Sequence, residues 1–199
     1  MEMTANENPT DQTHKKKSGS QEAMQHNGII TIIGVGNLLL SDEGVGVHVV
    51  RSLAEQLEYD QRITCIDAGT LSYELLEWVA TADAVLLIDA AQLDAPAGTV
   101  AQFSDHQVET HFALASSRTV HQISVRDVLN TARILYQRPR HWALIGVQPS
   151  IMTWGDTLSE PVTQNLPTVF AAIADTLRHW GVEVEDTLHP SCHFSGVEQ

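Results

Sequence analysis

Three residues with side chains that commonly bind metal ions follow separate segments of this sequence. Glu43 lies in the loop after the first apolar segment, Asp89 ends another such segment, and His121 lies in a stretch without periodicity. Carboxylate and imidazole groups together suit a borderline divalent ion, and three protein ligands leave coordination positions open. No compact motif such as H-E-x-x-H accompanies them, so their geometry must decide between a metal site and simpler roles.

Each of the three residues also has a simpler interpretation. Glu43, like its neighbour Asp42, could occupy the first turn of a helix, where the helix dipole favours a carboxylate. Asp89 could cap a loop at the end of its strand, and a lone histidine such as His121 is more often a surface residue than a ligand. From spacing alone, both interpretations stay open.

A dinucleotide site is the obvious alternative, because Gly34-Val35-Gly36 follows a predicted strand and precedes a predicted helix. Two features of that fingerprint are missing. Leu39 occupies the position of the third glycine, and Asp67 lies farther along the chain than the usual ribose-binding acid. The carboxylates of Asp42 and Glu43 would also repel a pyrophosphate, so the sequence argues against a nucleotide.

Strands and helices alternate from residue 28 onward. The predicted strands cover residues 29–35, 62–67, 84–89, 99–103 and 142–147, and the predicted helices cover residues 44–58, 72–80, 124–136 and 161–180. Residues 99–103 follow the preceding strand too closely for a crossover helix, which favours an antiparallel or edge strand. The pattern predicts an α/β fold, a three-layer αβα sandwich around a mostly parallel twisted sheet of about five strands.

The composition limits the possible partners. The chain of 199 residues carries 25 acidic and 11 basic residues, for a formal net charge of -14. This charge disfavours nucleic acid and anionic membranes as partners. Two cysteines, Cys65 in a strand that is predicted to be buried and Cys192 near the end, are typical of a reducing compartment, and no apolar run has the length of a membrane span. We therefore expect a cytoplasmic protein that binds neither nucleic acid nor membrane. We also expect it to be a monomer.

The two ends of the chain differ from the region between them. Residues 1–27 are polar and predict a disordered leader, whereas residues 28–184 predict a single α/β domain. Residues 185–199 are interpreted as a flexible C-terminal tail. His189, Cys192 and His193 lie close together in that tail, and their polar surroundings suggest at most weak adventitious metal binding.

Several segments resemble the nickel-iron hydrogenase maturation endopeptidases in their order and spacing. They are GVGNLLLSDEGVGV at residues 34–47, DAGT at 67–70, LIDA at 87–90, AGT at 97–99 and HQ at 121–122. LIGVQP at residues 144–149 and LSE at 158–160 resemble the branch that serves uptake-type hydrogenases. The resemblance covers residues 29 to about 184. One departure is Ala68, where many family members have a further glycine.

The resemblance implies an activity and a ligand set. Members of this family remove a C-terminal extension from the hydrogenase large-subunit precursor once its metal centre holds nickel. Carried over by position, the nickel ligands are Glu43, Asp89 and His121, and the nickel is supplied by the precursor. The alternative is a nickel-binding chaperone or delivery module without proteolysis, which would bind nickel tightly without a substrate. A flavodoxin-like module for an anionic cofactor is disfavoured by the acids around the crevice.

No nucleophile motif accompanies this ligand set. Neither G-x-S-x-G nor a cysteine–histidine pairing around Cys65 or Cys192 is present. Asp67 ends the second predicted strand, where it could hydrogen-bond the site, act as a base on a water molecule or cap the loop. We therefore take Asp67 as the candidate catalytic residue. His48, one helical turn beyond Glu43, is expected to border the core.

Overall fold

A computed structural model describes most of the region in which the α/β domain is predicted. The described residues are 28–70, 74–105, 107–108, 125–136, 139–184 and 188–190. Their strands are β1 (Ile30–Val35), β2 (Ile63–Gly69), β3 (Ala84–Ala90), β4 (Val100–Ser104) and β5 (His141–Val147). Their helices are α1 (Val45–Gln56), α2 (Leu75–Thr81), α3 (Val125–Tyr136) and α4 (Glu160–His179), and a 3-10 turn, Ser41–Gly44, leads into α1.

The strands form one sheet in the order β2-β1-β3-β5-β4. Strand β1 pairs in parallel with β2 and β3, β3 pairs in parallel with β5, and β4 runs antiparallel to β5 at the edge. The predictions of a mostly parallel sheet and of an antiparallel edge strand are therefore confirmed. Because β2 and β3 lie on opposite sides of β1, the sheet has a switch point between the carboxyl ends of β1 and β3, where ligands bind in such sheets.

Helices cover both faces of the sheet. Helices α1 and α4 bury one face in a core that includes Ile32, Leu53 and Phe170, while α2 and α3 bury the other with Val79, Leu87 and Leu129. Full burial of each such side chain contributes about 1.5 to 3 kcal/mol relative to exposure. The predicted three-layer αβα sandwich is confirmed. Of the helices that the structure describes, none combines the length and apolar character needed to cross a membrane.

The elements differ from the predicted ones mainly at their ends. Strand β2 continues to Gly69 because its pairing with β1 resumes after an irregularity, with Val35 opposite Gly69. Asp67 therefore lies within the strand rather than at its end. Cys65 is only partly buried, because β2 is an edge strand. Most of the predicted loop at residues 104–122, the leader, and residues 185–187 and 191–199 of the predicted tail lie outside the described residues.

Helix α1 approaches the sheet very closely through two glycines. A Cβ atom added at Gly46 would lie 2.1 Å from the carbonyl oxygen of Ile88 and 2.4 Å from that of Val35. A Cβ atom added at Gly34 would lie 2.1 Å from the carbonyl oxygen of Gly46. In a dinucleotide fingerprint the third glycine permits this close packing of helix and strand, whereas here Gly34 and Gly46 permit it. It brings the start of α1 to the carboxyl ends of β1 and β3.

Candidate active site at the switch point

The loop after β1 folds back on itself and places Glu43 above the end of that strand. Gly36 has a φ of 138°, and a Cβ atom there would lie 1.7 Å from the carbonyl oxygen of Glu43. Only glycine permits this conformation and this close approach. The side chain of Asn37 accepts the N–H of Leu39 at 3.0 Å, and its carbonyl accepts the N–H of Leu40 at 3.0 Å. These two hydrogen bonds fold residues 37–40 into a turn.

Glu43 and Asp89 lie near enough for the charge of one carboxylate to influence the other. Oε2 of Glu43 is buried and accepts no hydrogen bond from the described residues, and burial raises the pKa of this side chain. The pKa of Asp89 is raised to about 7, mainly by burial; the N–H of Ala90 opposes this rise, and the charge of Glu43 adds to it. Two of the three predicted ligands thus come together at the switch point.

The third predicted ligand, His121, lies outside the described residues. Within the described part of the chain, no group of three histidine, cysteine, aspartate or glutamate residues is placed to hold a metal ion. The pair itself suits a cation, because two desolvated carboxylates with an unpartnered oxygen gain from a nearby positive charge. The three-residue ligand set therefore stays a prediction, and two of its members occupy compatible positions.

Asp42 has a role that neither interpretation of the sequence contains. Its carboxylate is fully buried and accepts hydrogen bonds from the N–H groups of Ser150, Ile151 and Ser159 at 2.7 to 2.8 Å. The hydroxyl of Ser159 donates a fourth bond at 2.8 Å. Burial alone would raise the pKa of Asp42, but these donors outweigh burial and lower it. Asp42 is a charged anchor between two distant segments.

The segment anchored by Asp42 is residues 149–159, named here the site loop. Its backbone also pairs with the turn before α1: the N–H of Ser41 donates to the carbonyl of Gly155 at 2.8 Å, and that of Asp42 donates to the carbonyl of Ile151 at 3.1 Å. The motif LSE before a proline-containing helix start indicates the beginning of α4. No sequence signal identifies Asp42 as the acceptor for this loop.

Asp67 is paired with a residue that the sequence analysis missed. The Nε and Nη2 atoms of Arg51 donate to Oδ2 of Asp67 at 2.8 and 2.7 Å, and the N–H of Gly69 donates to Oδ1 at 3.0 Å. The carbonyl of Gly69 in turn accepts the N–H of Gly36 at 2.9 Å. Asp67 is therefore tied to the loop that carries Glu43. No local motif indicates Arg51, because it lies 16 residues before its partner on another element.

An open groove of about 280 Å³ lies beside this ion pair. It is lined by Gly36, Asn37, Leu38, Val47, Arg51, Asp67, Gly69 and Thr70. Its walls come from the loop after β1, from α1 and from the end of β2, so it borders the same edge of the sheet as Glu43. The proposed catalytic role of Asp67 stays a prediction.

His48 and Cys65 lack the properties of a nucleophilic pair. Burial and the charge of Arg51 lower the pKa of His48, although Asp156 of the site loop opposes this shift. His48 is partly buried on α1. Burial raises the pKa of the Cys65 thiol to about 12, so the thiol is protonated at neutral pH. Cys192 lies outside the described residues.

The fold and the site define an α/β protein with a pair of desolvated carboxylates at the switch point of its sheet. A family model described as hydrogenase maturation protease (HycI) matches residues 47–176, more than half of the chain. The chain is 32% identical over 156 residues to the hydrogenase expression/formation protein HupD of Rhizobium leguminosarum bv. viciae, covering 78% of this chain and 77% of that protein.

Two further comparisons, one with a sequence and one with a solved structure, lead to Escherichia coli. The hydrogenase 2 maturation protease is 31% identical over 156 residues, covering 77% of this chain and 93% of that protein. The solved structure of the hydrogenase maturating endopeptidase HybD has a TM-score of 0.71 and 29% sequence identity, covering 78% of this chain and 95% of that one. The chain therefore belongs to the hydrogenase maturation protease family, and it is an endopeptidase.

Proposed function

We propose that this endopeptidase removes the C-terminal extension of a nickel-iron hydrogenase large-subunit precursor, of the uptake type, after nickel has entered the precursor. The observation that carries the proposal is the Glu43–Asp89 pair. Both carboxylates have a raised pKa, the charge of Glu43 disfavours that of Asp89, and Glu43 has a buried oxygen without a partner among the described residues, so the pair suits a cation. A cation that arrives with the substrate would relieve these conditions only when the precursor is bound.

The nickel of the precursor is part of the substrate in this proposal. Glu43, Asp89 and His121 would contact it, since carboxylate and imidazole groups suit a borderline ion and leave positions for ligands from the precursor. A bound divalent ion polarises a carbonyl group and lowers the pKa of water. Asp67 is the proposed base. Its two oxygens already accept bonds from Arg51 and Gly69, which hold it at the groove.

Weak nickel binding by the free enzyme follows from the same geometry. The described residues supply two carboxylates to the site, and even with His121 the shell would be incomplete without ligands from the precursor. Cleavage then reports that the hydrogenase centre contains its metal. A delivery module would instead hold nickel tightly on its own, so nickel affinity and cleavage together separate the two functions.

The test is to incubate the purified protein with nickel-loaded precursor and with nickel-free precursor plus a chelator, and to follow the precursor's mass. We expect a shorter product from the loaded precursor alone, no cleavage of casein, and weak nickel binding by the free enzyme. Efficient cleavage of nickel-free precursor would show that the protein is a peptidase whose activity does not depend on nickel. Tight nickel binding without cleavage of either precursor would favour the chaperone.

A further inference from the structure

Four large apolar side chains are exposed beside the candidate active site. Leu39 is 57% exposed, Ile151 45%, Met152 53% and Trp154 82%. We name this set the apolar rim. Neither core cluster of the described residues includes any of them. Single exposed apolar residues are ordinary, whereas several on neighbouring segments indicate an interaction surface.

Backbone hydrogen bonds hold the two segments of the apolar rim side by side. The N–H of Gly155 donates to the carbonyl of Leu39 at 3.1 Å, and the hydroxyl of Ser41 donates to the carbonyl of Thr153 at 3.1 Å. The buried carboxylate of Asp42 also holds the site loop by accepting hydrogen bonds from its backbone N–H groups. These hydrogen bonds use main-chain atoms and the side chains of Ser41, Asp42 and Ser159. The rim side chains are therefore presented on a fixed backbone and can be truncated without loss of these anchors.

The apolar rim also differs in charge from the rest of the chain. Residues 36–41 and 149–155 contain no charged side chain. The protein as a whole has 11 basic and 25 acidic residues and a net charge of -14. An uncharged apolar surface on an acidic protein suits a partner that also presents apolar groups. An anionic membrane is disfavoured, because the surrounding acids would be repelled by its headgroups.

We propose that the apolar rim is the docking surface for an apolar segment of the hydrogenase large-subunit precursor, next to the bond that is cut. This inference rests on the proposed function. The turn Ser41–Gly44 carries both Glu43 and the pairing with the site loop, so a precursor that reaches the Glu43–Asp89 pair also lies beside the rim. Tryptophan and methionine are enriched in protein interfaces, and an exposed tryptophan is a typical energetic anchor.

A second copy of this chain is a poorer occupant. A stable interface buries about 800 Å² on each partner, which is more than four side chains of one edge supply by themselves. The precursor adds contacts at the metal site and along the groove beside Asp67, so the apolar rim would complete a larger interface. The rim then provides affinity and selects the correct precursor, while the carboxylate pair responds to its metal.

The test uses the double variant Leu39→Ser/Trp154→Ser, with Tyr59→Ser as the matched control. Tyr59 is 59% exposed in the turn after α1, away from the site loop. With nickel-loaded precursor as substrate, we expect the double variant to raise KM by about tenfold or more. Its kcat should stay within about twofold of wild type and its Tm should be unchanged, because the truncated side chains hold no anchor. The control should leave KM unchanged.

Binding of the same precursor is measured in parallel by calorimetry, because this separates the docking proposal from the proposed function. If the wild-type protein cleaves no precursor, the proposed function fails, and weaker binding by the double variant still supports the docking surface. Equal precursor affinities and KM values for wild type and double variant would overturn the docking proposal. The proposal would also be overturned if the double variant lost a self-association that sedimentation detects for the wild-type protein, because the rim would then bind a second copy of the chain. Loss of binding to phosphatidylglycerol vesicles would overturn it in favour of a membrane.

Discussion

Asp42 and Glu43 are neighbours in the sequence, yet their carboxylates lie in opposite environments. Asp42 accepts four hydrogen bonds from the site loop, and these donors lower its pKa despite full burial. Glu43 has a buried oxygen without a donor among the described residues, and its pKa is raised. Two carboxylates whose pKa values are shifted apart commonly have different roles. Here Asp42 anchors the site loop, and Glu43 is the residue that the proposed function assigns to the metal of the substrate.

The difference arises from what each side chain faces. Asp42 faces the main-chain donors of the site loop, and a hydrogen bond to a charged group contributes about 1.5 to 3 kcal/mol. Glu43 faces the end of β3, where the nearby group is a second carboxylate, Asp89. A fold tolerates such a pair when function requires it and stability is supplied elsewhere. The Asp42 anchor supplies part of that stability directly beside the site.

The largest effect is expected for the activity of Glu43→Gln. This change keeps the shape of the side chain but removes the charge that would contact the precursor's metal. Processing of nickel-loaded precursor, followed by mass spectrometry, should fall below about one hundredth of the wild-type rate, because outer partners of metal ligands already contribute 10- to 100-fold. Glu58→Gln, at an exposed position, is the control. A processing rate near that of the wild type would show that Glu43 does not contact the metal of the precursor.

Asp42→Asn should have the next largest effect, on stability. Asparagine keeps one acceptor oxygen but places an NH₂ group against donors that now lack a partner. We expect a loss of roughly 3 kcal/mol in the free energy of unfolding, measured with urea. Asp94→Asn is the control, since Asp94 is exposed and has a φ of 53° that asparagine tolerates. A loss below that of the control would mean that the site loop does not depend on Asp42.

Asp67→Asn should lower processing by roughly 10- to 100-fold, the range typical of groups that support a metal site. The variant keeps the shape of the side chain and the acceptor for Gly69, so the loop after β1 should stay folded. Arg51→Met removes the partner and leaves the Asp67 carboxylate. If Asp67→Asn loses activity and Arg51→Met does not, Asp67 is the catalytic base. Equal losses in both variants would assign the pair to positioning, and wild-type rates in both would assign it to loop structure.

The sequence was sufficient for the αβα architecture because the fold depends on patterns within single segments. The apolar run of β3 and the helical spacing of α1 each predict their element, and the short interval before β4 predicts its antiparallel edge position. The positions of Glu43 and Asp89 also followed, since parallel strands end at one edge of a sheet. Their mutual closeness is a consequence of topology.

Other features depend on contacts between distant segments and had no local signal. The partners of Asp42 lie 108 to 117 residues away and donate mainly through the backbone, which any residue type provides. The Arg51–Asp67 pair joins a helix to a strand through side chains that are ordinary on a surface. The extension of β2 to Gly69 required an irregularity in pairing that the sequence pattern does not encode.

The smallest effect is expected for the stability of Glu43→Gln, and its sign is opposite to that of Asp42→Asn. The pKa of Glu43 is raised above 4.5 in the folded protein, so the stability that protonated Glu43 provides is lost as pH rises through the folded pKa. At pH 7 the substitution removes a poorly solvated charge and should stabilise the protein by about 0.5 to 2 kcal/mol. At pH 4, where Glu43 is largely protonated in both the folded and the unfolded state, the variant and the wild type should unfold at nearly the same urea concentration.

The stability that Asp42 provides is lost only as pH falls below 3.8, through its lowered folded pKa, and this loss is common to the variant and the wild type. Destabilisation of Glu43→Gln at pH 7 would show that Glu43 is a second anchor, and the contrast with Asp42 would disappear.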